Sequence, residues 1–90
     1  MELIAKHIIF IGRVQGVGFR FTSLNMANRY QLTGWVRNLP DGTVEMVAQG
    51  YPDDIDSCVQ DILESFMGHI ETKVEEIPLD PQLNGFKITF

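Results

Sequence analysis

A tight-turn sequence set between two helical stretches is what most narrows the folds open to this 90-residue chain. The turn is Leu39-Pro40-Asp41-Gly42, with Thr33 to Asn38 before it and Thr43 to Gln49 after it. Proline presets its own φ, and Asp-Gly accepts the left-handed backbone that a tight return needs. Val44, Met46 and Ala48 alternate with Glu45 and Gln49, the period of a half-buried strand. The segment reads as a β-hairpin.

A helix is expected on each side of it. From about Phe19 to Tyr30, the residues Phe19, Ser23, Met26, Ala27 and Tyr30 fall on one side of a helical wheel. After the hairpin, Pro52 suits a first helical turn, and Asp53, Asp54 and Asp56 complement the positive end of the dipole there. Ile55, Cys58, Val59, Ile62, Leu63 and Phe66 recur at helical spacing, and Gly68 offers a stop.

Strands are expected from about Ile4 to Val14, from Ile70 to Ile77, and over the alternating Phe86-Lys87-Ile88-Thr89-Phe90. A hairpin between two helices, with strands at both ends, predicts an α+β ferredoxin-like split β-α-β sandwich. Its sheet is mostly antiparallel, with both helices on one face. Ninety residues make one domain, 1–90, with no room for a second core.

This superfold hosts enzymes, binders and regulators alike, so function must come from a site. Cys58 is the one cysteine, which excludes an internal disulfide and a multi-cysteine zinc site and points to the cytoplasm. The first residues lack a secretory signal, nothing approaches the length of a membrane span, and no membrane partner is expected. Net charge is −5, which argues against a polyanionic partner, but the distribution is uneven. Of the 12 acidic residues only Glu2 precedes Asp41, whereas every arginine lies in the first 40 residues. An anion site can be locally positive there.

The candidate is Gln15-Gly16-Val17-Gly18-Phe19-Arg20, a glycine-rich turn between a strand and a helix. Glycines let successive backbone N–H groups point inward, and a helix terminus adds partial positive charge. Arg20 ends the turn, and its planar fork can grip two phosphate oxygens. There is no Gly-Lys-Ser/Thr ending, so this is no nucleotide P-loop, and the third glycine of a dinucleotide fingerprint is missing. Val14 stands where a cysteine-phosphatase loop needs its nucleophile, so water must attack if anything does. Strand parity puts Asn38 on the same face as Val36, at a strand end beside the turn. An Asn amide accepts a hydrogen bond from water and donates one to a phosphoryl oxygen, although Asn there also suits turn capping.

Gly12-Arg13-Val14-Gln15-Gly16-Val17-Gly18-Phe19-Arg20, then Gly34-Trp35-Val36-Arg37-Asn38 and Asp41-Gly42-Thr43-Val44-Glu45, resembles the acylphosphatase family over the whole chain. The resemblance implies hydrolysis of a carboxyl–phosphate anhydride to carboxylate and inorganic phosphate. It implies Arg20 as the phosphate-binding arginine, Asn38 as the residue positioning the water, and the N–H groups of Gln15, Gly16, Val17, Gly18 and Phe19 as the cradle. Neither metal nor organic cofactor is implied, and the expected partner is a small-molecule acyl phosphate, met by a monomer. The chemistry agrees: a carboxylate leaving group, whose acid has a pKa of roughly 4, needs no general acid. Gln31 stands where the family often ends its first helix with glycine, and Gly68-His69 replaces a common Gly-Pro. Both departures bear on stability more than on catalysis.

Other residues fit structural roles better. His7 and His69 lie far in sequence from the motifs, Cys58 sits on an apolar stripe, and Trp35 packs on the sheet. Arg13 and Arg37 suit either of two roles, raising the local potential or an exposed structural one, and Asp41 belongs to the turn. The rival functions are a non-catalytic anion binder, a nucleic-acid-binding domain, and a domain of a larger maturation enzyme. The second lacks sheet-surface aromatics with basic neighbours, and the chain's end at Phe90 disfavours the third.

Overall fold

The computed structural model describes residues 2–90. Its elements run β1 (Ile4–Ile11), α1 (Phe19–Arg29), β2 (Thr33–Asn38), β3 (Val44–Gly50), α2 (Pro52–Glu64), β4 (Glu71–Ile77) and β5 (Phe86–Ile88). Five strands form one sheet in the order β4-β1-β3-β2-β5. The pairs β1–β3, β1–β4 and β2–β3 are antiparallel, and β2–β5 is parallel. Two helices packed on this mixed sheet are the expected ferredoxin-like α+β sandwich.

Register assigns each strand residue to a face. Ile8, Met46 and Val36 lie in one row, and Phe10, Val44 and Asn38 in the next. Ile8, Phe10, Val36, Val44, Met46 and Ala48 are fully buried and join Phe19, Ala27, Ile55, Cys58 and Ile62 of the helices in one core. Each such aliphatic side chain contributes roughly 1.5–3 kcal/mol of burial. Phe19 is the hinge of this packing, with its ring 4.9 Å from Phe10 and 5.0 Å from Phe66. Gly34 is required by space: a Cβ there would lie 1.9 Å from the carbonyl oxygen of Val47 on the neighbouring strand.

Most boundaries follow the sequence, and the differences have local causes. Strand β1 stops at Ile11 because Gly12 takes φ 138°, yet Val14 beyond it is buried. Helix α2 stops at Glu64, short of Gly68, with Ser65 as its C-cap: the Ser65 N–H is shared between the Asp61 and Ile62 carbonyls, and its hydroxyl also donates to Asp61 O. Phe66 therefore reaches the core from outside the helix. Strand β5 covers only Phe86–Ile88.

Helix α1 closes with a Schellman motif, in which Leu32 N–H donates to Ala27 O at 2.9 Å and Gln31 N–H to Asn28 O at 3.1 Å. The motif demands a left-handed residue, and Gln31 supplies it at φ 57°, alone among the described non-glycine residues. Tyr30 then ties α1 to α2 by donating to Asp61 at 2.5 Å, and this bond, with burial, holds its phenol above the ordinary range.

The sheet face opposite the helices carries polar chemistry of its own. His7 Nε2 lies 2.8 Å from one carboxylate oxygen of Glu45, and Arg37 Nε donates to the other at 2.6 Å. Arg37 also stacks over Trp35, 5.1 Å from the ring centroid. Burial pushes the Glu45 carboxyl up, but the bonds and charges of His7 and Arg37 outweigh it and leave the carboxyl below its ordinary value.

Two predictions follow from these strains and pairs. Gln31→Gly relieves the left-handed strain and raises unfolding free energy by roughly 1 kcal/mol in denaturant titration. A carboxyl with a depressed folded-state pKa stabilises above its unfolded value, here 4.5, and loses that contribution as pH falls through the folded value. Acid unfolding of Glu45→Gln is accordingly shallower below that pH than acid unfolding of the parent, read by thermal midpoint against pH.

Candidate active site

Between β1 and α1 the chain bends through Gly12 to Gly18, held at its ends by two buried apolar side chains, Val14 at 1% exposure and Phe19 at 2%. Gly16 and Gly18 adopt φ 75° and 77°, and a Cβ at either would meet no atom within 4 Å. Their glycines therefore serve backbone direction rather than space. Among the described residues, none accepts a hydrogen bond from the N–H groups of Gln15, Gly16, Val17, Gly18 or Phe19. Helix α1 starts here with no side-chain cap and no acid in its first turn, so the positive end of its dipole is uncompensated.

Arg20 follows at once on α1. It makes no ion pair among the described residues, and its guanidinium lies 5.2 Å from the centroid of the Phe90 ring. A partly buried guanidinium with no ion pair among the described residues, on a helix start next to unspent N–H donors, has the chemistry to hold an anion.

Asn38 reaches the same place from β2. It shares the helix-facing side with Val36, as strand parity requires, and it lines a cleft of about 300 Å³ with Gly16, Gly18, Phe19 and Arg20. Its Oδ1 is buried and accepts no bond from any described residue. An unsatisfied acceptor of this kind costs about 1–3 kcal/mol, and the broad χ2 well of Asn lets a small rotation aim it into the cleft. Phe21, Ile88 and Phe90 form the apolar side of the same cleft.

The structure thus brings Arg20, Asn38 and the Gln15–Phe19 turn together. The side chain of Gln15, however, faces the hairpin, with Nε2 donating to Leu39 O and Thr43 O at 2.8 Å each. Arg37, one residue before Asn38, projects to the other face and is bound to Glu45. Neither histidine joins the site: His7 is bound to Glu45, and the exposed His69 pairs with Glu71. Burial, with Asp61 nearby, pushes the Cys58 thiol up to about 12, which removes it as a nucleophile. Sequence reasoning missed Phe21, Ile88, Phe90 and the Gln15 amide. Only the alternation of Phe86 to Phe90 hinted at any of them, and it did not reveal that β5 would run parallel to β2.

A model of the acylphosphatase family matches residues 6–88. An acylphosphatase of Nostoc sp. is 51% identical over 59 residues, a stretch covering 66% of this chain and 58% of that protein. One from Chlorobaculum tepidum is 45% identical over 84 residues, covering 91% of each chain. Among solved structures, the acylphosphatase from Bacillus subtilis superposes with a TM-score of 0.89 at 34% identity, covering 97% of this chain and 99% of that one.

If this turn holds an anion, stability depends on phosphate. Inorganic phosphate at about 100 times its Kd raises unfolding free energy by about 2.7 kcal/mol. Arg20→Gln abolishes the accompanying rise in thermal midpoint, as differential scanning fluorimetry with sulfate-free buffers would show.

Proposed function

The chain belongs to the acylphosphatase family, and from that premise we propose that residues 1–90 act as one domain that hydrolyses small-molecule acyl phosphates to a carboxylate and inorganic phosphate. The phosphoryl group lies in the cradle, with its oxygens bound by the N–H groups of Gln15 to Phe19 and by the Arg20 guanidinium. Water attacks phosphorus from the side of Asn38. Asn38 accepts a hydrogen bond from that water through Oδ1 and donates through Nδ2 to a phosphoryl oxygen. As the new P–O bond forms, the bond to the acyl oxygen breaks and its electron pair leaves on the carboxylate. The water's proton passes to a phosphate oxygen.

The observation that carries this reading is the unpartnered Oδ1 of Asn38 in one cleft with Gly16, Gly18, Phe19 and Arg20, an arginine that makes no ion pair among the described residues. Positioning and charge stabilisation are most of what phosphoryl transfer asks of a protein. The described side chains lining the cleft include no carboxylate and no imidazole. Such a set suits a substrate whose leaving group departs unprotonated, with no metal taking part. The apolar side of the cleft, Phe21, Ile88 and Phe90, is where an acyl group fits.

All of these residues come from one copy of the chain, which supports a monomer as the working unit. A reduced, buried cysteine supports the cytoplasm, and the acidic second half disfavours nucleic acid as a partner. Among the described residues no helix is long and apolar enough to cross a membrane.

Steady-state hydrolysis of acetyl phosphate in the presence of chelator tests the mechanism. Asn38→Ala lowers kcat by roughly 100-fold or more, on the scale of losing one transition-state hydrogen bond, and leaves competitive inhibition by inorganic phosphate nearly unchanged. Equal loss of phosphate binding would reassign Asn38 to the cradle. Loss of parent activity on chelation would remove the metal-free route.

A further inference from the structure

We infer that the Gln15 side chain is a positioning element that holds the phosphate cradle in register with Asn38. This rests on the roles given above to Arg20 and Asn38. Gln15 opens the cradle, and its Nε2 donates to Leu39 O and Thr43 O, both at 2.8 Å. Leu39 directly follows Asn38, and Thr43 directly precedes Val44, the register partner of Asn38 across the hairpin. One amide therefore clasps the two carbonyls that bracket the pair Asn38–Val44.

The clasp is chemically specific. Both partners are carbonyl oxygens, which only accept, so the group facing them is the NH₂ and both of its hydrogens are spent. Each carbonyl also serves the turn, since Leu39 N–H donates to Thr43 O and Gly42 N–H to Leu39 O. Gln15 uses their second lone pairs. Among the described residues, these are the only hydrogen bonds joining the stretch from Gly12 to Arg20 with the hairpin. The cradle positions the phosphorus and Asn38 positions the water, so their relative placement decides whether attack is in line. Misplacement of reacting groups by about 1 Å can cost on the order of 100-fold in rate. With its amide committed to the hairpin, Gln15 serves phosphate through its backbone N–H alone.

Kinetics of the purified full chain on acetyl phosphate, with inorganic phosphate as competitive inhibitor, test the inference in two variants. Gln15→Ala lowers kcat by about tenfold to 100-fold while the phosphate inhibition constant stays within about threefold, because the cradle keeps its glycines and Arg20. In Gln15→Glu, a carboxylate faces two carbonyl oxygens at pH 7 and kcat is lower still. As pH falls toward about 5 the introduced carboxyl takes up a proton and offers one donor, so activity rises relative to Gln15→Ala.

An unchanged kcat in Gln15→Ala, or a phosphate constant that rises in parallel, overturns the inference. If Gln15→Ala does not fold, the pH profile of Gln15→Glu against the parent decides: a constant ratio across pH overturns it equally. Full activity in Asn38→Ala would instead sink the functional reading itself. An impaired Asn38→Ala beside an unimpaired Gln15→Ala sinks the positioning role alone.

Discussion

Burial of Val14 and Phe19 at the two ends of one short turn is the constraint from which the site grows. Each side chain is withdrawn from water almost completely, so the backbone between them has little freedom to drift. Gly16 and Gly18 then set its direction with positive φ, and among the described residues the N–H groups of Gln15 to Phe19 have no partner. Backbone groups in such a state are costly unless water or a ligand meets them. Gly16, Val17 and Gly18 are exposed, so water can meet these groups, and a bound anion would take its place.

Strand parity distributes the rest of the chemistry. On β2, alternate residues look to opposite faces, which sends Asn38 toward the cradle and Arg37 toward Glu45 and Trp35. Glu45 thus occupies the arginine nearest in sequence to Asn38, while Arg20 makes no ion pair among the described residues. A one-residue slip in the pairing of β2 with β3 would exchange these roles. The close approach at Gly34 and the Asp41–Thr43 bonds, at 2.6 and 3.0 Å, guard against that slip from both ends of the hairpin.

Much of this was readable from local signals. The Pro-Asp-Gly turn, the alternation of Val44, Met46 and Ala48, and the apolar stripe of α2 each carry their own period, and each stands in the structure as expected. Arg20, Asn38 and the glycines were legible as candidates because a glycine-rich turn that opens a helix and ends in arginine is a recurring anion cradle, although glycines there equally serve to shape a turn. What was illegible depends on partners far along the chain. The reach of Gln15 to Leu39 and Thr43, the parallel docking of β5 and the stacking of Phe90 on Arg20 have no local periodicity to announce them. The early end of α2 was missed because Phe66 keeps the apolar spacing and reaches the core from beyond the helix, so spacing alone does not mark the boundary.

The placement of β1 has a consequence for how the molecule comes together. Ile4 pairs with Gly50 and Ile11 with Glu71, so β1 finds neither neighbour until distant chain has been brought back to it. Only the β2–β3 hairpin can close over a short loop. The search for the other pairings carries an entropic cost that helices cannot offset by forming early. Folding of such a chain is slower than its small size suggests, and the turn between β1 and α1 acquires its shape only when the most remote pairings are made.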